Sequence, residues 1–135
     1  MTIPSCVFCD TSFFYACLDP KDVNHARASE IVMDAAEGTS LFTTWDIISE
    51  TVTLLRYRRH YSAAVLFLDE VKPGLRIVAY GDRVREHAER IFKQRDHRLS
   101  FCDAISFVVV TTLLDHMSCA VFDEDFRALG LTVIT

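Results

Sequence analysis

No stretch of this 135-residue chain approaches the roughly 18 consecutive apolar residues that a membrane span requires. The opening residues, Met1-Thr-Ile-Pro-Ser-Cys-Val-Phe8, lack the basic segment and long apolar core of a secretory signal. No linker, internal repeat or low-complexity segment interrupts the chain. The five cysteines are an odd number and cannot all pair with one another. The five histidines show no paired ligand spacing, which argues against zinc. From these absences the expectation is a soluble, cytoplasmic protein from a reducing compartment, with free thiols and no membrane association.

What is present fits one well-packed domain spanning residues 1–135. Hydrophobic residues make up 50% of the chain, enough for a sizeable core at this length. Cys6 and Cys9 have redox spacing, but Cys6-Val-Phe-Cys9 reads as a strand, which would put the two thiols on opposite faces. Buried small hydrophobes are the better reading of the cysteines. The net charge of −5 comes from 14 basic and 19 acidic residues. That balance neither requires nor excludes a polyanionic partner.

Strand-like and helix-like segments alternate from end to end. Cys6–Cys9 reads as a strand, and Ala28, Ile31, Val32, Ala35 and Ala36 mark a helix stopped by Gly38. Residues 41–43 read as a second strand. Thr43 with Asp46 resembles a capping box opening a helix to about Arg58. Tyr61, Ala64, Val65, Leu68 and Val71 mark a helix ended by Pro73-Gly74, and residues 75–79 a strand. Val84, Ala88, Ile91 and Phe92 share one helical face, and Ser100 with Asp103 caps a helix running to about His116. Strands at 119–122 and 131–134, separated by a helical turn, close the pattern. The alternation predicts a three-layer α/β/α fold with a central, mostly parallel sheet. Ligands of such sheets bind beyond the carboxyl ends of the strands.

Four carboxylates occupy that region or the helix starts beside it: Asp10, Glu50, Asp103 and Asp123. Asp10 and Asp103 also suit helix caps, and Asp123 sits in an acidic turn, so each is weak evidence alone. Glu50 is harder to explain structurally. It shares a helix side with Ile47 and Leu54, and no basic residue lies three or four positions away. Acids converging from such distant positions need a cation to stay ionised together. Oxygen ligands suit hard ions such as Mg²⁺ or Mn²⁺.

The motifs around these acids resemble those of PIN-domain nucleases, most nearly the VapC-type toxins of bacterial toxin–antitoxin pairs. Cys9-Asp-Thr-Ser12, Asn24-His-Ala-Arg-Ala28, Thr43-Thr-Trp-Asp-Ile-Ile-Ser-Glu50, Leu99-Ser-Phe-Cys-Asp-Ala104 and Val121-Phe-Asp-Glu-Asp-Phe126 carry the resemblance, in that order. It implies a metal-dependent ribonuclease with Asp10, Glu50, Asp103 and Asp123 around Mg²⁺ or Mn²⁺. Asp123 and Asp125 would share a face if the strand at 119–122 persisted, so Asp125 is a second candidate for the fourth ligand. Ser12 and Thr11 match the motif's hydroxyls. The resemblance also implies an RNA substrate, a cognate antitoxin and a homodimer.

Arg56, Arg58, Arg59 and His60 form one basic group, and Lys93, Arg95, His97 and Arg98 a second. Either could contact phosphate, and either could be a solvated helix end. Two rival readings, a phospho-acceptor signalling domain and a phosphatase, fail on missing residues. A phospho-acceptor domain wants paired acids ending its first strand and a late lysine, yet Phe8-Cys9 precede Asp10 and no lysine follows Lys93. A haloacid-dehalogenase-like phosphatase wants a second Asp at position 12, which is serine. The remaining alternative is a non-cleaving PIN-type module that binds RNA or protein.

Overall fold

The structure, a computed structural model, describes residues 3–36, 38–94 and 99–134. Strand β1 (Cys6–Cys9) buries Val7, Phe8 and Cys9 in succession. Consecutive burial means that both faces of the strand are covered, as expected at the centre of a parallel sheet. The remaining strands are β2 (Ser40–Thr43), β3 (Leu75–Ile77), β4 (Cys119–Ala120) and β5 (Val133–Ile134). They form one sheet in the order β3-β2-β1-β4-β5, and every adjacent pair is parallel.

Among the described residues, seven α-helices make the connections. Helices α1 (Thr11–Leu18) and α2 (His25–Ala35) lie between β1 and β2 in sequence. Helices α3 (Trp45–Arg58) and α4 (Tyr61–Leu66) follow β2, and α5 (Asp82–Gln94) and α6 (Phe101–Val108) follow β3. The short α7 (Glu124–Arg127) joins β4 to β5. The chain therefore builds one half of the sheet outward from β1, then returns to the other side of β1 for β4. That reversal places a crevice beyond the carboxyl ends of β1 and β4, the usual ligand position in such sheets. Phe14 and Phe67, both fully buried, meet edge-on at 5.2 Å and lock α1 to the segment after α4.

Several element ends differ from the sequence reading. The cap of α3 is Thr44, whose side chain accepts from the Ile47 N–H, instead of Thr43. Thr43 is committed to the sheet: it pairs with Ile77, and its hydroxyl donates to the Cys9 carbonyl at 3.0 Å. Asp46 accepts the Tyr80 hydroxyl at 2.6 Å and takes no part in a capping box. Strand β3 ends at Ile77, short of residue 79. The helix expected to run from Tyr61 to Val71 widens into a π-turn at Phe67–Val71. A second π-turn, Val109–Leu113, ends the helix begun at Phe101. There the Thr111 and Thr112 hydroxyls donate to the Phe107 and Val108 carbonyls at 2.8 and 2.6 Å, competing with the helical backbone. Asp115 and His116 then adopt left-handed backbone conformations, so the helix stops before the expected His116.

Candidate active site

Asp10 follows β1 directly and caps α1. Its Oδ2 accepts from the Ser12 N–H at 3.1 Å and from the Ser12 hydroxyl at 2.9 Å. The same hydroxyl oxygen accepts from the Phe122 N–H at 2.9 Å. Ser12 thus clamps the exit of β1 to the exit of β4 and holds Asp10 at the junction. Asp123 lies one residue beyond that clamp and caps α7, with its Oδ1 accepting from the Asp125 N–H at 2.8 Å.

The other two acids arrive on helices. Glu50 is half-buried on α3. Asp103 is buried in the first turn of α6, where its N–H donates to Ser100 Oγ at 3.0 Å. Its carboxylate in turn takes hydrogen bonds from Ser100, completing the expected capping box. Asp10, Glu50, Asp103 and Asp123 line one open cleft of about 440 Å³. Asp125 is not among its described lining residues. The strand ends at Ala120 and the chain turns into α7, so the shared strand face expected of Asp123 and Asp125 does not exist.

Electrostatics ties the four acids together. Burial raises the Asp10 carboxyl to about 6; the Ser12 hydrogen bonds oppose that rise and Glu50 adds to it. Burial also raises Asp103 to about 7, with Asp10 and Asp123 reinforcing it. The Cys102 thiol beside Asp103 is pushed well up by burial, then by Glu50, Asp10 and Asp103, so it stays protonated and inert. All five cysteines are free, and Cys9 and Cys119 are fully buried.

Among the described residues no three His, Cys, Asp or Glu side chains close a metal cage. The four acids lining the cleft nevertheless offer oxygen ligands alone, the kind that suits a hard ion such as Mg²⁺ or Mn²⁺. The Thr11 hydroxyl, buried beside Asp10, has no hydrogen-bond partner among the described residues. The all-oxygen set and the mutual repulsion of the acids therefore fit a hard divalent ion.

The basic groups separate clearly. Arg59 pairs with Asp19 at 3.5 Å, Arg56 lies over the Tyr61 ring, and the His60 ring accepts the Ala63 N–H. Only Arg58 of this group lines the cleft. In the second group Arg95, His97 and Arg98 lie outside the described residues. Tyr15 also lines the cleft and was missed by sequence reading. For Arg58 the available signal was helical spacing: Glu50, Leu54 and Arg58 fall at i, i+4 and i+8 on one side of α3.

One stability prediction arises here. Asp10 and Asp103 hold their protons to higher pH when folded than the 3.8 of an unperturbed aspartate. The metal-free folded state therefore binds more protons than the unfolded state between about pH 4 and pH 7, and stability falls as pH rises through that window. The metal-free chain should melt lower at pH 8 than at pH 5, by an amount on the order of a few kcal/mol. Mn²⁺ should restore the loss at pH 8. Calorimetric melts at both pH values, with and without Mn²⁺, would refute this if the order were reversed.

Comparison with known proteins followed the same lines. Residues 7–131 match the model of the PIN domain family. A VapC ribonuclease from Archaeoglobus fulgidus is 39% identical over 110 residues, covering 77% of this chain and 69% of the relative. The crystal structure of Mycobacterium tuberculosis VapC20, described as a sarcin-ricin loop cleaving toxin, superposes with a TM-score of 0.81. It shares 28% identity, over 93% of this chain and 96% of that one.

Proposed function

Because this chain belongs to the PIN domain family, we propose that it is a ribonuclease, the toxin of a toxin–antitoxin pair, that hydrolyses RNA with Mg²⁺ or Mn²⁺ held by Asp10, Glu50, Asp103 and Asp123. The observation that carries this reading is the convergence of those four acids from four separate elements onto one cleft. The ribonuclease from Archaeoglobus fulgidus and the toxin from Mycobacterium tuberculosis support it.

Asp10 and Asp103, the most buried of the four, would hold the ion directly. Glu50 and Asp123 would complete its surroundings, directly or through water. A divalent ion bound there supplies an acidified water and shields the phosphate charge. Glu50 or Asp123 then takes the proton released by the attacking water. Ser12 fixes Asp10 relative to the end of β4, so that the acids keep their spacing while substrate enters.

As a toxin the chain would act on RNA in the cytoplasm and be silenced by an antitoxin placing a basic side chain among the acids. A homodimer is the assembly that goes with this reading. No helix among the described residues is long and apolar enough to cross a membrane.

The test is incubation of the purified chain with total cellular RNA in Mn²⁺, followed by mapping of new 5′ ends. The sarcin-ricin loop, which the Mycobacterium tuberculosis toxin is described as cleaving, is the first candidate target. Discrete cuts that vanish with chelator are the expected result. RNA that is bound yet never cut would favour the non-cleaving module instead.

A further inference from the structure

Arg58 is the only basic side chain among the described residues lining the acidic cleft. The cleft also contains five carboxylates: those of Asp10, Asp22, Glu50, Asp103 and Asp123. Even so, Arg58 forms no ion pair with any described residue; the described pairs join Arg27 to Glu30, Arg59 to Asp19 and Arg85 to Asp82. An exposed arginine in an acidic cleft, with its charge uncommitted, is available for an anion.

Its surroundings hold it in place. The guanidinium lies 5.9 Å from the centre of the Tyr15 ring, within range of a cation–π contact. Tyr15 is anchored in turn, because its hydroxyl is hydrogen-bonded to Asp19. Asp19 is already occupied by Arg59 at 3.5 Å and by the Lys21 N–H at 3.0 Å. The Asp19 carboxylate is therefore engaged by Arg59 and not by Arg58, which lines the cleft.

Distance along the helix sets what Arg58 can reach. It lies eight residues beyond Glu50 on α3, so the two are separated by about 12 Å along the helix axis. That offset sets the Arg58 backbone back from the acids along the cleft they share. A neighbouring phosphate of the same strand is within its reach. We infer that Arg58, oriented by the Tyr15 ring, is a phosphodiester-binding residue that holds the RNA backbone next to the cut site. The inference rests on the nuclease reading for its substrate, but not for its binding chemistry.

The chain supplies its own control. Arg56 is exposed, sits in the same last turn of α3, and lies over a tyrosine ring at 5.1 Å, but it does not line the cleft. If Arg58 were only a solvated helix end, the two arginines would behave alike.

The experiment measures binding of a short, fluorescein-labelled single-stranded RNA of random sequence by anisotropy, in Mg²⁺. Every protein carries Asp103→Asn to prevent cutting, and salt is varied between roughly 50 and 200 mM. Arg58→Ala should weaken binding roughly tenfold. It should also reduce the slope of log affinity against log salt by about 0.7, the value for one lost phosphate contact on a single strand. Arg58→Lys should keep the slope, and Arg56→Ala should change neither quantity. Thermal melts of each variant check that the fold is retained.

Equal binding by Arg58→Ala and its parent would overturn the inference, as would an equal loss in Arg56→Ala or no RNA binding by the parent. If the otherwise unaltered chain cuts no RNA while binding still depends on Arg58, the nuclease reading falls and the phosphate site stands.

Discussion

Asp103→Asn is expected to lower RNA cleavage by at least about a thousandfold, equivalent to roughly 4 kcal/mol of lost transition-state stabilisation. Removing a partner of a metal ligand typically costs 10- to 100-fold, and loss of a ligand itself should exceed that. The substitution is chosen because it changes little else. Asparagine is nearly the same size, and its side-chain oxygen can still accept the Ser100 hydrogen bond that opens α6. What disappears is a negative charge buried near Asp10 and Asp123. The metal-free variant should therefore be at least as stable as the unaltered chain at pH 8, because a repulsive buried charge has gone. Loss of activity combined with retained or increased stability is the signature of an acid kept for function. If Asp103 served only as a cap residue, the variant would keep its cleavage activity. Steady-state cleavage of a mapped RNA fragment and thermal melts read the two effects separately.

Ser12→Ala is the second large effect. It removes both the hydroxyl donor to Asp10 and the acceptor for the Phe122 N–H. A buried donor left without a partner costs about 1 to 3 kcal/mol, so the variant should melt measurably lower. Activity should fall roughly 10- to 100-fold, as for other residues that orient a metal ligand. Ser12→Thr keeps the hydroxyl and should recover much of both losses. Unchanged activity in Ser12→Ala would show that the position of Asp10 does not depend on the clamp. The loss should appear in kcat more than in KM, because Ser12 holds the acids and does not grip the RNA chain.

Much of this architecture was legible from residue patterns. The order of strands and helices followed from alternation and capping residues, and the parallel sheet matches what that alternation implies. The errors were local and have physical causes. Thr43 and Thr44 are equivalent as letters, and only the pairing of Thr43 with Ile77 reveals that the strand claims the first and leaves the cap to the second. The end of the helix after Val108 depends on threonine hydroxyls turning back onto carbonyls, a competition that apolar periodicity does not register.

The acids were visible as a set because each sits at an element boundary. Their convergence was expected from those boundaries, but the strand order around β1 that creates the common cleft was not legible. The expected ambiguity between Asp123 and Asp125 came from extending a strand that stops at Ala120. Arg58 was legible only as one of a basic group. Which member faces the cleft is decided by Asp19, which claims Arg59, and by the Tyr15 ring beneath Arg58. Both contacts join α3 to the segment around α1, and no local spacing rule captures them.

The central claim is that Asp10, Glu50, Asp103 and Asp123 act as one cation site. The most direct test is a Mn²⁺ titration at pH 8 followed by electron paramagnetic resonance, comparing the unaltered chain with Asp103→Asn. The account predicts that the unaltered chain removes Mn²⁺ from solution saturably and that Asp103→Asn does so far more weakly. Equal binding by both proteins, or no binding by either, would contradict it.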